Sequence, residues 1–221
     1  MQLAFIQHQF GDLNAKHVLD IGCATGELSY QLAQGGAKVV GMDLNADLLI
    51  QARKKEVPGH LSFREGNMLH LKTDFAKAQF DGVVCLGNTL VHLNSHAEIR
   101  QTLEGMRYVL KPGGQLVLQI LNYDHILENR VNALPKIESD AVVFNRYYDF
   151  EPDAERIQFR TELNIKSTGR SIENTTSLLA LKSDSLKKAL QQSGFTDIRL
   201  YSNFKRDPFG GKHLPLVLGC R

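Results

Sequence analysis

Five places in this chain end an apolar run with residues able to hold a nucleoside or move a proton. They are Asp20 to Gly26, Asp43, Asn67-Met68, Gly87-Asn88 and Asn122-Tyr123. Acidic and amide side chains suit ribose hydroxyls and amino groups, and glycine turns let a ligand come close to backbone. The first loop reads Asp20-Ile21-Gly22-Cys23-Ala24-Thr25-Gly26. Gly22 permits the tight turn out of a strand, and Gly26 opens the helix that follows. A pyrophosphate-seating loop needs G-x-G-x-x-G. Here Ala24 stands at the second glycine and nothing fits the third. Asp20 would repel phosphate and suits an ammonium group, so the loop is matched to a ligand that carries a cation. Asp43 comes 21 positions after Gly22, where a carboxylate can bond both ribose hydroxyls. A helix-capping role is the alternative, but Asn45 fills that place.

The elements that must position these residues alternate between strand and helix. Strands are expected at 17–21, 37–42, 60–65, 80–86 and 115–121. Helices are expected at 26–34, stopped by Gly35-Gly36, after the N-cap Asn45, and from the Ser95/Glu98 capping box to Leu110. Five strands with intervening helices make a parallel sheet covered on both faces. After Asn122 the rhythm changes. In 156–165 the residues Ile157, Phe159, Leu163 and Ile165 alternate with polar ones, the pattern of antiparallel strands with one wet face. Residues 141–150 and 172–181 read as further strands. Together, 125–181 form an antiparallel insertion that would cover a substrate pocket within a single domain spanning 1–221. A helix at 184–193 and strands at 195–202 and 214–220 close the chain. The segment 203–213 is either a lid or a long hairpin connection.

With 221 residues, net charge +2 and pI near 8.4, the chain has no field to recruit nucleic acid or anionic lipid, which favours a small-molecule substrate. No signal peptide and no membrane-spanning run is evident. Cys23, Cys85 and Cys220 lack metal-ligand spacing and read as reduced thiols of a cytoplasmic protein; no metal site is expected.

The segments VLDIGCATGELS (18–29), VVGMDLNADLL (39–49), FDGVVCLGNTLVHL (80–93) and LKPGGQLVLQIL (110–121) resemble the successive motifs of class I S-adenosylmethionine-dependent methyltransferases. The resemblance implies a Rossmann-like α/β fold with a seven-stranded, mostly parallel sheet and an antiparallel last strand. It implies S-adenosylmethionine as cofactor. Asp20 would sit near the methionine ammonium, and Gly22, with Cys23, Ala24 and Gly26, would face the cofactor. Asp43 would hold the ribose, Leu44 would flank the adenine, and Asn67 and Met68 would contact it. Leu86 and Gly87 would pass under the methionine end. Asn67 stands where aspartate is usual, and its amide oxygen can still accept from the adenine amino group.

The stretch Leu86 to Leu93 and the Asn122-Tyr123-Asp124 turn look like those of the glycine N-methyltransferase-like group, which implies a small amine as methyl acceptor. His92 is the local candidate base, or a polar residue at a turn. Asn88 would orient the nucleophile or cap the turn, and Tyr123 would close the pocket or pack in the core. A carboxylate-bearing acceptor would need an arginine. Arg146 beside Tyr147 is preferred over Arg160, Arg170 and Arg206, the alternative being solvated strand-surface charges. An oxygen or carboxylate acceptor, RNA or protein methylation, and cofactor binding without turnover remain as rival readings. A nicotinamide oxidoreductase is disfavoured by the altered glycine loop and Asp20. Met1 to Phe10 would supply part of a helix closing over the cofactor.

Overall fold

The computed structural model describes residues 1–150 and 155–221. Among these described residues, eleven strands and seven α-helices follow in chain order. The first half holds α1 (Gln2–Phe10), β1 (His17–Ile21), α2 (Glu27–Gln34), β2 (Lys38–Asp43), α3 (Ala46–Arg53), β3 (Leu61–Glu65), α4 (Leu71–Asp74), β4 (Phe80–Cys85), α5 (His96–Val109) and β5 (Leu110–Leu121). After it come α6 (Tyr123–Glu128), β6 (Ile137–Glu138), β7 (Val142–Phe150), β8 (Arg156–Ile165), β9 (Arg170–Leu179), α7 (Ser183–Gln192), β10 (Arg199–Tyr201) and β11 (Pro215–Cys220). Short 3-10 turns precede α4, at Met68–His70, and follow β4, at Thr89–His92.

The main sheet has seven strands in the order β10-β11-β5-β4-β1-β2-β3. β1 pairs in parallel with β2 and β4, β2 with β3, and β4 with β5, while β11 runs antiparallel to β5. The order reverses beside β1, so a crevice opens where the chain leaves β1 for α2 and leaves β4 for the opposite side. Side-chain alternation divides β1 between two cores: Leu19 and Ile21 face one, and Val18 faces the other. The first core receives α5 (Ile99, Leu103, Met106, Val109) and α7 (Leu186, Leu190), and the second receives α1, α2 and α3. Helices therefore cover both faces, the arrangement the strand–helix alternation predicts.

β6 to β9 form a separate four-stranded antiparallel sheet; residues 151–154, between β7 and β8, lie outside the described residues. Register places Tyr148 opposite Phe159, and Ile157 between Phe150 and Leu178. Tyr148, Ile157 and Leu178 are buried in the first core, so this end of the insertion is built into the body.

Several expectations need correction. The Asn122-Tyr123-Asp124 turn is the start of α6, whose N–H of His125 donates to the Asn122 side chain. The strand expected at 195–202 shortens to β10. Residues 68–74 are helical, a segment with too few apolar repeats to be seen. The N-terminal segment is the helix α1, but it does not close over the crevice. Phe5, Ile6 and Phe10 are its buried side and pack into the second core, with Phe10 filling the space that the missing side chain of Gly82 leaves. The 203–213 segment joins the antiparallel strands β10 and β11 and is tied down. Arg206 meets His8, and Asn122 donates to the carbonyl of His213. Among the described residues no helix is long and apolar enough to cross a membrane.

Candidate functional site

A cavity of about 620 Å³ opens at the carboxyl ends of β1, β2, β3 and β4. Its floor is the loop after β1. The N–H groups of Gly22 and Cys23 both donate to the carbonyl of Met42, at 2.7 and 3.1 Å, which ties the loop to the end of β2. Gly22 (φ +72°) and Gly26 (φ +77°) both take the left-handed conformation, and both are also crowded. A Cβ on Gly22 would sit 2.5 Å from the Thr89 side chain, and one on Gly26 would sit 2.4 Å from the Phe63 ring. Gly22 lets the loops after β1 and β4 meet, and Gly26 lets α2 approach β3.

Asp43, the last residue of β2, is fixed by two backbone donors. Its Oδ2 accepts from Ala24 N–H at 2.8 Å and its Oδ1 from Asn45 N–H at 2.9 Å. Each oxygen keeps a lone pair for a further donor, so the carboxylate can take two hydroxyls at once. Asn45 caps α3 by accepting from Leu48 N–H, which leaves Asp43 free of that duty. Leu44 is 68% exposed, unusual for leucine, and with Met68 and Leu48 it offers an apolar slot on the cavity wall. Asn67 Oδ1 accepts from Leu69 N–H at 3.0 Å, capping the 3-10 turn; one lone pair remains.

The other end of the cavity is built from the loop after β4. Gly87 N–H donates to Gln119 Oε1, Asn88 is left-handed (φ +68°), and the Thr89–His92 turn follows. Thr89 Oγ1 donates to the carbonyl of Leu86 at 2.7 Å. His92 opens onto the cavity, while the protein packed around its ring holds its pKa below the ordinary 6.5. It is therefore a neutral imidazole at pH 7, able to accept a proton. Arg156 holds this turn from behind. Its Nη1 donates to the carbonyls of Leu93 and Asn94, while Nε and Nη2 donate to the hydroxyl and carbonyl of Ser177 on β9.

Of the residues singled out from sequence, Gly22, Ala24, Asp43, Leu44, Asn67, Met68, Gly87 and His92 line the cavity together. Asp20, Cys23, Gly26 and Leu86 lie beneath its floor. Asp20 is 3% exposed and accepts from Ser29 Oγ at 2.5 Å. Burial pushes its pKa to about 6, with the Asp43 charge adding to the rise and the Ser29 bond opposing it. Burial also pushes the Cys23 thiol far above its usual value, leaving it inert. Asn88 commits both ends of its amide, accepting from Leu121 N–H at 2.9 Å and donating to Tyr123 Oη at 3.0 Å. Tyr123 is fully buried in the first core, and burial raises its pKa well above 10. Neither residue lines the cavity.

Arg146 and Tyr147 stand on β7, away from the cavity. Arg146 donates to the Pro135 carbonyl at 2.8 Å, and Tyr147 lies under the Arg160 guanidinium. The sequence reading missed Ile21, Met42, Asn45, Leu48, Gly66 and Thr89, all of which line the cavity. Ile21 and Met42 were within reach as the terminal residues of β1 and of the run before Asp43. Thr89 lies within the Leu86 to Leu93 stretch but was not singled out there, because its contact depends on the bare face of Gly22. Among the described residues, no group of three or more His, Cys, Asp or Glu is placed to hold a metal ion.

A doubly wound sheet with a cavity at its switch point, floored by an acidic-Gly-rich loop and flanked by a carboxylate after β2, defines a nucleoside-cofactor enzyme of Rossmann-like type. The family described as "Methyltransferase domain" matches residues 18–114. The chain is 30% identical over 211 residues to a glycine/sarcosine N-methyltransferase of Aphanothece halophytica, covering 86% of this chain and 70% of the relative. It is 34% identical over 122 residues to the glycine N-methyltransferase of Mus musculus, spanning 50% of this chain and only 42% of that protein. In fold it is similar to an S-adenosylmethionine-dependent methyltransferase from Clostridium acetobutylicum, with a TM-score of 0.83 at 16% identity, covering 100% of this chain and 90% of the other. The chain belongs to the class I S-adenosylmethionine-dependent methyltransferases, and S-adenosylmethionine is its cofactor.

Proposed function

We propose that this enzyme transfers a methyl group to the nitrogen of a small-molecule amine by in-line displacement. The observation that carries the reading is His92, a neutral imidazole at the end of the cavity opposite the Asp43 carboxylate. The 30% identity to a protein named for N-methylation of glycine and sarcosine supports the amine class.

Asp43 would hold the ribose hydroxyls, Leu44 and Met68 the adenine faces, and Asn67 the adenine amino group. Gly22 and Gly87 would give the methionine part room against bare backbone. Asp20 would act on the methionine ammonium from beneath the floor, as a carboxylate above pH 6. Bound S-adenosylmethionine supplies a sulfonium methyl already activated for displacement. The chain's part is to align the acceptor nitrogen with that methyl and to take a proton. The cofactor, held by Asp43, Leu44, Asn67, Met68 and the Gly22 and Gly87 loops, would supply the methyl and would keep the bonding electron pair on its sulfur as the acceptor nitrogen takes that methyl. The proton lost by the nitrogen goes to His92 Nε2 or Nδ1 and then to water. The insertion would wall the acceptor end through the 89–92 turn, against which β9 packs. The small net charge of +2 favours a small acceptor over nucleic acid, and three buried free thiols suit a reducing, cytoplasmic setting.

The test is release of S-adenosylhomocysteine with a panel of amines, phenols and carboxylates. Turnover with amines is expected. Expressed per unprotonated amine, its rate should rise with pH through a pKa below 6.5 and then level, because only neutral His92 accepts a proton. His92→Gln should flatten that rise and lower kcat by roughly 10²-fold. Turnover confined to phenols or carboxylates would overturn the reading.

A further inference from the structure

The acceptor end of the cavity is electrically neutral. Thr89 and His92 line it, and neither lysine nor arginine lines the cavity among the described residues. A carboxylate brought into such a site would lose its water without gaining a cation, which is costly. Each arginine that could have served is placed elsewhere. Arg146 donates to the Pro135 carbonyl and stacks on Phe144; its Nε lacks an acceptor, but the residue does not line the cavity. Arg160 lies over Tyr147 and against Asp149. Arg206 donates to His8 on α1 at 2.6 Å. Arg170 is exposed at the opposite end of β9 from Ser177. Arg156 binds the chain just after the 89–92 turn, and gives four of its five N–H donors to Leu93, Asn94 and Ser177. What the neutral end does offer is acceptor capacity. Thr89 Oγ1 donates to Leu86 and keeps lone pairs for a hydroxyl.

We infer, building on the amine reading, that the acceptor is an amine whose skeleton carries a hydroxyl and no carboxylate: an amino alcohol rather than an amino acid. This separates the chain from the substrates named for its relative from Aphanothece halophytica.

Matched pairs that differ only in a carboxylate against a hydroxymethyl group test this on the full chain with S-adenosylmethionine. Glycine is set against ethanolamine, sarcosine against N-methylethanolamine, and β-alanine against 3-aminopropanol. Within each methylated pair, kcat/KM should favour the alcohol by at least about tenfold, as expected when a desolvated charge goes unpaired. A preference for any amino acid would overturn the inference. Carboxylate recognition is also read without turnover, by titrating sodium acetate into protein saturated with S-adenosylhomocysteine. No saturable binding below about 10 mM is expected. One-site binding in that range, lost when His92 or Thr89 is replaced by alanine, would overturn the inference even if none of the pairs is methylated. Methylation of phenols alone, with no acetate binding, would sink the amine reading and leave the absence of a carboxylate site standing.

Discussion

Asp20 and Asp43 sit near the ends of the adjacent strands β1 and β2 yet work under opposite conditions. Asp43 is held by two backbone donors and faces the cavity, whereas Asp20 is buried on one neutral hydroxyl. A carboxylate whose folded pKa is raised to about 6, against about 3.9 when unfolded, weakens the fold as it ionises. Its penalty is absent below pH 3.9, grows between pH 3.9 and 6, and is complete above 6. Asp20→Asn, which still accepts from Ser29, should therefore stabilise the ligand-free protein by on the order of 2 kcal/mol at pH 7.5. The gain should vanish below pH 4, as read by urea unfolding across pH. A gain that does not change with pH would show that burial of the charge is not its source. Gly26 gives a second residue-scale test. A methyl at φ +77° and 2.4 Å from Phe63 should cost roughly 3 kcal/mol, or roughly 10 °C in Tm, in Gly26→Ala. Differential scanning calorimetry would show it, and an unchanged Tm would mean that Phe63 yields easily. The carboxylates were legible because acid at the end of a strand is a local pattern. Thr89 was not, because it meets Gly22 only after two loops 60-odd residues apart come together.

The Thr89–His92 turn follows β4 of the main sheet, β8 and β9 belong to the second sheet, and Arg156 joins the two parts. It takes the two carbonyls that end the turn and two groups on Ser177. Arg156→Met keeps the apolar stem but removes the planar fork. We expect kcat to fall about tenfold while the affinity for S-adenosylmethionine changes by less than about twofold, since Arg156 bonds to Leu93, Asn94 and Ser177 and to none of the cofactor-side residues. Equal losses in both would show that the turn supports the cofactor as well. In β8 the strict alternation of Ile157, Phe159, Leu163 and Ile165 gave both the element and its antiparallel partners. The reading failed at α1, where Phe5, Ile6 and Phe10 mark a buried face without saying what covers it. It failed also at 68–74, where the helix is set by the Asn67 cap and by burial of Leu71.

At the scale of the molecule, the sheet order places four loops around one cavity, and every cofactor assignment depends on that convergence. The parallel sheet was legible from strand–helix alternation, and its antiparallel last strand from the family resemblance; the order of the strands is shown by the structure alone. The acceptor end was not legible, because it depends on how the insertion meets the 89–92 turn, which no local pattern encodes. Calorimetric titration with S-adenosylmethionine, comparing the wild type with Asp43→Ala and Asp43→Asn, tests the convergence most directly. One-site binding by the wild type is expected, weakened by about 2–3 kcal/mol in Asp43→Ala and by less in Asp43→Asn, which keeps one acceptor oxygen. Circular dichroism would confirm that all three are folded. Wild-type affinity in a folded Asp43→Ala variant, or no binding by the folded wild type, would contradict the placement of the cofactor in this cavity.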